Sequence, residues 1–257
     1  LFILKEQCKM KLPVYFISDN HFLLDYNEAE TERRNKLFNL FEHIKKTGGT
    51  LIIGGDFFDF WLQTFSGIPK YYDDIIQNLQ SLNEQNIEIH YVVGNHDYWD
   101  FGYMQKTFKC NVHKSDYIVN IDKHKILITH GDGILKNDVM YRFMKKIIRS
   151  WLFIFLIRIV PISIMTFFAK KISNSKNKLN PNYPGLNQSL KNELKDYAFK
   201  KMEKNNIDTL LMGHYHEIGI IEKGDKKFIH LGDWLTKFTV TIFDKNKTFV
   251  QKSWGEK

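Results

Sequence analysis

Short runs of apolar and β-branched residues alternate along this chain with longer stretches in which apolar positions recur every three or four residues. The runs VYFIS (14–18), TLIIG (50–54), IEIHYVV (87–93), KILIT (125–129) and DTLLM (208–212) have the pattern of largely buried strands. Between them, Glu28–Lys46, Tyr71–Glu84 and Gln188–Lys204 carry helical spacing. After the last of the five runs, KKFIHLGDW and KFTVTIFD suggest an antiparallel β tail. The pattern predicts an α/β protein with at least one buried sheet, and no internal repeat or low-complexity tract is evident.

One segment departs from this rhythm. Residues 151–171, WLFIFLIRIVPISIMTFFAKK, are the most apolar run in the chain, interrupted by Arg158 and Pro161. Just before it, Arg142, Lys145, Lys146 and Arg149 form one basic stripe on a helical wheel, with Met140, Phe143, Met144, Ile147 and Ile148 elsewhere around the turn. Charge sharpens the contrast. The formal net charge is +8, yet residues 133–180 hold ten Lys/Arg against the single acid Asp138, leaving 27 basic and 28 acidic side chains elsewhere. A basic stripe beside dense Phe, Ile and Leu describes an amphipathic element for an anionic lipid surface. We expect residues 134–180 to form a helical lid, interrupted at Pro161, with a greasy inner groove and a face that rests on a membrane.

Composition otherwise sets bounds. The 257 residues can bury one substantial core and fit one large domain as well as two small ones, and 43% hydrophobic with 26% charged residues is ordinary for a soluble globular protein. Cys8 and Cys110 stand far apart in no metal or redox spacing, so a reducing compartment is expected. The opening LFILK is too short for a signal-peptide core.

Each of the five strand runs leads into a polar cluster: Asp19-Asn20-His21, then Gly55-Asp56-Phe57-Phe58-Asp59, Gly94-Asn95-His96-Asp97, His130-Gly131-Asp132 and Gly213-His214-Tyr215-His216. Ligands in α/β sheets gather beyond the carboxyl ends of strands. Oxygen and imidazole donors without thiolate suit Mn, Fe or Zn. In D-x-H and H-x-H, donors two apart share a face if the chain is extended. Seven donors exceed one tetrahedral ion and fit two close ions with a bridging carboxylate.

The ordered set D-x-H, G-D-x-x-D, G-N-H-D, H and G-H-x-H resembles that of the calcineurin-like metallophosphoesterase superfamily. The resemblance implies a four-layer sandwich, two β-sheets flanked by helices, with metals at one edge. It implies that Asp19, His21, Asp56 and His216 hold one divalent ion. Asp56, Asn95, His130 and His214 would hold the other, and manganese is the metal implied. Such a pair activates a shared water and clamps phosphoryl oxygens. His96 is then positioned to stabilise developing charge or protonate the leaving oxygen, with Asp59 orienting its ring. The histidines 43, 90, 113, 124 and 230 lack motif context and are read as ordinary core or surface side chains.

Because the apolar run lies between His130 and His214, a single membrane crossing would separate two ligands of one ion. Two crossings would need about 40 apolar residues, far more than the run supplies. The run is therefore expected not to span.

Local text narrows the resemblance. GDFFDFW (55–61), HGDG (130–133) with Asp138 and Tyr141, the basic apolar insert and LGDW (231–234) are similar to the UDP-2,3-diacylglucosamine pyrophosphatases of lipid A synthesis. That implies cleavage to UMP and a diacylglucosamine 1-phosphate, at the cytoplasmic face of the inner membrane as a peripheral protein. Asn95, His96, Asp138, Ser173, Lys176 and His214 would touch the substrate. One departure is His96, where the best-known branch of that family has Arg; the oily insert favours the same substrate over another lipid-linked or nucleotide phosphodiester. A nuclease groove would want solvent-facing aromatics, and a non-enzymatic scaffold would be expected to lack ligands. Neither a nucleic acid nor an obligate protein partner is expected.

Overall fold

The computed structural model describes residues 10–121, 123–172 and 185–255. Among these, the five apolar runs become β1 (Val14–Ile17), β2 (Thr50–Ile53), β3 (Glu88–Val92), β6 (His124–Thr129) and β7 (Thr209–Met212). The helical patterns become α1 (Glu28–Thr47), α2 (Asp73–Glu84) and α7 (Gln188–Asn205). Asn27 and Asn187 cap α1 and α7 by accepting from backbone N–H groups three residues on.

The strands form two sheets. One has the order β11-β10-β1-β2-β3-β4, with β4 at Asn111–His113, β10 at Thr239–Phe243 and β11 at Phe249–Ser253. The other runs β5-β6-β7-β9-β8, with β5 at Tyr117–Ile121, β8 at Ile218–Lys223 and β9 at Lys226–Leu231. Alternation along each strand sorts side chains into layers. Tyr15, Ile17, Leu51, Ile53, Ile89 and Tyr91 pack against α1, α2 and the short α3 (Tyr103–Phe108). Their neighbours Val14, Phe16, Ile52 and Val92 meet Ile126, Ile128, Leu211, Ile229 and Leu231 between the sheets. Leu127, Leu210, Met212 and Phe228 pack on Leu194, Ala198, Phe199 and Met202 of α7. Helices, sheet, sheet, helix is the four-layer arrangement expected, and burial on both faces explains the unbroken apolar runs.

The expected antiparallel tail is corrected. β9 pairs parallel with β7 and antiparallel with β8, and β10 crosses into the other sheet, between β1 and β11. Periodicity marks strands but carries no information about which sheet receives them.

After β6 come α4 (Val139–Ile148), α5 (Trp151–Ile159) and α6 (Ile162–Ile172), with α5 and α6 bent by 106° at Pro161. Among the described residues no single helix is long and apolar enough to cross a membrane. Neither α4 nor α5 buries any residue, and Met140 and Trp151 are 76% and 79% exposed.

His230 on β9 is buried against the Phe228 ring, 4.4 Å between centroids. Burial pushes its imidazole down to about 4. The unfolded chain accepts a proton near pH 6.5 that the native state resists, so this group's stabilisation is whole above pH 6.5 and lost as pH falls toward 4. Replacing it removes that slope. His230→Phe should lose about 2 kcal/mol less than wild type between pH 7 and 4.5, measured by urea unfolding at both pH values.

Candidate metal centre

The motif loops meet because β1, β2 and β3 are parallel in one sheet and β6 and β7 in the other, bringing their carboxyl ends to one edge. There the backbone continues as an irregular ladder. Asp19 N donates to Gly55 O (3.0 Å), His21 N to Asp56 O (2.9 Å) and Phe22 N to Phe57 O (3.1 Å). The third loop is tied in by His96 N, which donates to Asp56 Oδ1 at 2.8 Å. Asp97, given no role in the sequence reading, is a fastener: it accepts from Gly94 N, Phe57 N and the Tyr91 hydroxyl. His214 N donates to both oxygens of Asp19 at 3.0 and 2.9 Å.

The extended-chain reading of D-x-H and H-x-H is corrected by the backbone. Asp19, His21, Asp56, His214 and His216 all have left-handed φ, from 43° to 67°. That conformation costs an L residue about 1–2 kcal/mol. Here the amide bonds just described hold it, and sharp turns aim successive donors at one point. Glycine is needed where loops touch. A Cβ on Gly94 would overlap Asp56 Oδ1, and one on Gly213 would overlap Ser18 Oγ and lie 2.6 Å from Asp19 Oδ2.

Donor atoms of Asp19, His21 and His216 lie within 4.8 Å of one another, as do those of Asp56, His130 and His214, and of His21, Asp59 and His96. Asn95 Oδ1 is 3.2 Å from His130 Nε2. The separations suit ligands sharing a cation. His130 Nε2 to Asp56 Oδ2 is 3.2 Å, His216 Nε2 to Asp19 Oδ1 is 3.5 Å and His21 Nε2 to Asp56 Oδ2 is 3.7 Å. Ligands about 2.0–2.1 Å from one ion stand roughly 3–3.4 Å apart. The donor set of carboxylate, amide oxygen and imidazole fits a divalent ion.

Electrostatics agree. Burial pushes Asp19 up to about 7, against the pull of His130 and with Asp56 adding to the rise. For Asp56 burial acts the same way, but His130 and His96 outweigh it and hold the carboxyl well below the usual range. Burial opposes charge on His130, yet Asp56 drives it up to about 10. Two buried carboxylates competing for positive partners are what a cation would relieve.

His96 Nδ1 donates to the backbone carbonyl of Asp59 at 2.6 Å, which leaves Nε2 4.0 Å from Asp56 Oδ2. The hydrogen bond on the His96 ring thus involves the Asp59 backbone, while its carboxylate stands 3.8 Å from both His96 Nδ1 and His21 Nδ1. Asp138 sits at the start of α4, close enough to Tyr215 to raise its phenol beyond the effect of burial. Ser173 and Lys176 lie outside the described residues. Of the histidines without motif context, His43 edges Tyr15, His90 and His113 stack with Tyr117, His124 is tilted against Phe243 and His230 is tilted against Phe228.

Three supports escaped sequence reasoning. Arg33 of α1 is buried and donates to the carbonyls of Asn20, His21 and Trp234, while Glu30 receives its guanidinium. In LGDW, Trp234 N donates to Asp19 O at 3.2 Å, and Asp233 pairs with Lys237, whose ammonium holds the His216 carbonyl. The basic stripe of α4 points the other way from the expectation. Arg142 donates to the carbonyls of Gly133, Leu135 and Lys136, Lys145 pairs with Asp132 at 2.6 Å, and Arg149 reaches Gly94 O. Of the four cations only Lys146 is on the exposed side. The apolar residues Met140, Phe143, Met144 and Ile147 form the outer face instead.

Gly94→Ala should push the Asp56 carboxylate off its position. We expect divalent-ion affinity, measured by calorimetry, to fall on the order of 10–100-fold, with the far-UV circular dichroism spectrum retained.

The calcineurin-like phosphoesterase family model matches residues 12–218. A UDP-2,3-diacylglucosamine hydrolase of Porphyromonas gingivalis is 23% identical over 252 residues, covering 91% of this chain and 95% of that protein. Its namesake in Wigglesworthia glossinidia brevipalpis is 26% identical over 244 residues, covering 93% of each. A solved archaeal phosphodiesterase superposes with a TM-score of 0.47 at 16% identity, covering 93% of this chain and 98% of that one. With all five motif loops inside the matched span, the chain belongs to the calcineurin-like phosphoesterase family.

Proposed function

We propose that this chain hydrolyses the diphosphate of UDP-2,3-diacylglucosamine, releasing UMP and 2,3-diacylglucosamine 1-phosphate. The observation that carries the reading is an exposed apolar helical element beside a phosphoesterase centre. Trp99 Nε1 donates to Ile148 O at 3.1 Å and the Tyr141 ring lies 6.4 Å from that of His214, so α4 borders the ligand loops. A polar nucleotide or phosphoprotein gives no reason for such a neighbour; acyl chains do. The named substrate of the relatives is the same lipid.

In this reading Asp19, His21, Asp56 and His216 would hold one divalent ion, and Asp56, Asn95, His130 and His214 a second, manganese being the metal expected for both. Bound there, the ions supply a nucleophilic water near neutral pH and offset phosphoryl charge. The chain's own work is orientation and proton handling. His130 Nδ1 donates to Gly54 O at 3.0 Å, fixing the tautomer that turns Nε2 inward. His96, with Nδ1 engaged by the Asp59 carbonyl, presents Nε2 to the phosphoryl oxygens or to the leaving oxygen. Residues 134–180, of which 134–172 are described, are assigned here as a lid for the acyl chains, within one domain spanning 1–257. Its outer residues Met140, Phe143, Ile147 and Trp151 rest on the cytoplasmic face of the inner membrane, and the exposed Lys146, Lys170 and Lys171 add attraction for anionic lipid.

Manganese-loaded protein should release UMP from UDP-2,3-diacylglucosamine in mixed micelles, and His96→Ala should lower the rate about 10²–10⁴-fold. Turnover of simple nucleotide diesters without UMP release would reject the substrate. For the membrane face, replacing Met140, Phe143, Ile147 and Trp151 by Ser should lower sedimentation with phosphatidylglycerol-containing vesicles roughly tenfold or more. Since most of the α4 charge is turned inward, added salt should weaken vesicle binding far less than these substitutions do; the opposite ranking would reject the apolar contact.

A further inference from the structure

The inward cations of α4 are not equally engaged. Arg142 donates to three carbonyls and Lys145 is paired with Asp132 at 2.6 Å. Arg149 is different. Its guanidinium lies over the Tyr98 ring, 3.9 Å from the centroid, and Nη2 makes one long hydrogen bond to Gly94 O at 3.5 Å. Asp132 Oδ2 is 3.8 Å away and already receives Lys145 and the Tyr141 hydroxyl. A guanidinium has five N–H donors, so among the described residues most of this fork has no acceptor. It is held in place all the same, by the aromatic face below and by α4 behind.

The location gives the fork a use. Gly94, whose carbonyl it touches, abuts the Asp56 carboxylate and is followed by Asn95 and His96. His96 and Arg149 are both partly exposed, at 31% and 21% of their side chains, and the carbonyl that Arg149 touches is two residues from His96. We propose that Arg149 binds the second phosphate of a diphosphate substrate, the one that leaves with the lipid sugar. This rests on the proposed diphosphate chemistry. When water oxygen bonds to the nucleotide-side phosphorus, the bond from that phosphorus to the bridging oxygen breaks. The electron pair stays on that oxygen, and the departing phosphate monoester gains a negative charge beside Arg149. A planar fork suits a phosphate through paired N–H donors, which a lysine ammonium cannot reproduce.

The test separates phosphate recognition from structural support. Manganese-saturated protein is given bis(p-nitrophenyl) phosphate as a chromogenic diester, and UDP or UMP is added as a competitor, so the readout needs no lipid. Arg149→Met should raise the inhibition constant of UDP on the order of 30-fold and that of UMP at least tenfold less. Arg149→Lys, which keeps the charge and the aliphatic stem should the first variant fold poorly, should fall between. In parallel, KM for UDP-2,3-diacylglucosamine should rise more than kcat falls. Equal rises for UDP and UMP, or no change in either, would overturn the role of Arg149. Failure of wild-type protein to release UMP from the lipid would instead strike the substrate assignment, leaving the UDP and UMP comparison intact.

Discussion

Two carboxylates, Asp19 and Asp56, lie almost wholly out of water within reach of the same imidazoles. Burial of like charges is among the most costly arrangements a protein can hold, and it persists only when positive partners and aligned N–H donors surround it. Both are present. His214 N and the Ser18 hydroxyl donate to Asp19, and His96 N donates to Asp56. The remaining demand for positive charge is what makes this edge a cation site rather than a salt-bridged core.

Much of the surrounding structure serves that constraint. Left-handed turns aim the donors, and glycines at 94 and 213 allow backbone to approach within carboxylate contact. Arg33, from a helix that by its apolar spacing should only cover the sheet, instead pins the loops of His21 and Trp234 by their carbonyls. Glu30, buried with it, accepts from Arg33, Arg34 and Leu23 N, so the internal charges compensate one another. Stability and site geometry are therefore linked in the first turns of α1.

Helices α4–α6 divide their chemistry by face. Cations and aromatic rings alternate where the helices meet the body: Arg149 over Tyr98, Lys114 near Tyr98 and Phe101, Arg158 over Phe101 and Phe65. Backbone bonds from Phe65 N to Arg158 O and from Ile162 N to Ser66 Oγ add to the attachment. Charge thus holds the element to the protein, and apolar surface is turned outward. This is the reverse of an ordinary surface helix, and it follows from the carbonyls, the Asp132 carboxylate and the aromatic rings that the body presents on that side.

The chain's residue order alone determined the five apolar strands, the three covering helices and the polar clusters that follow each strand. Those features are local: burial on both faces writes a continuous apolar run, and metal chemistry restricts residue type. Asp19, His21, Asp56, Asn95, His130, His214 and His216 stood out for that reason, and the structure gathers their donor atoms at one edge. The strands β4, β5, β8 and β11 were not, because they are short or half-exposed and lack such a run. Nor could periodicity say that β10 leaves the sheet of β9, that D-x-H turns left-handed, or that α4 shows the body its basic side. Each of these depends on contacts between segments far apart in the chain, and a helical wheel, which knows only angles around one axis, cannot tell inward from outward until something else is packed against it.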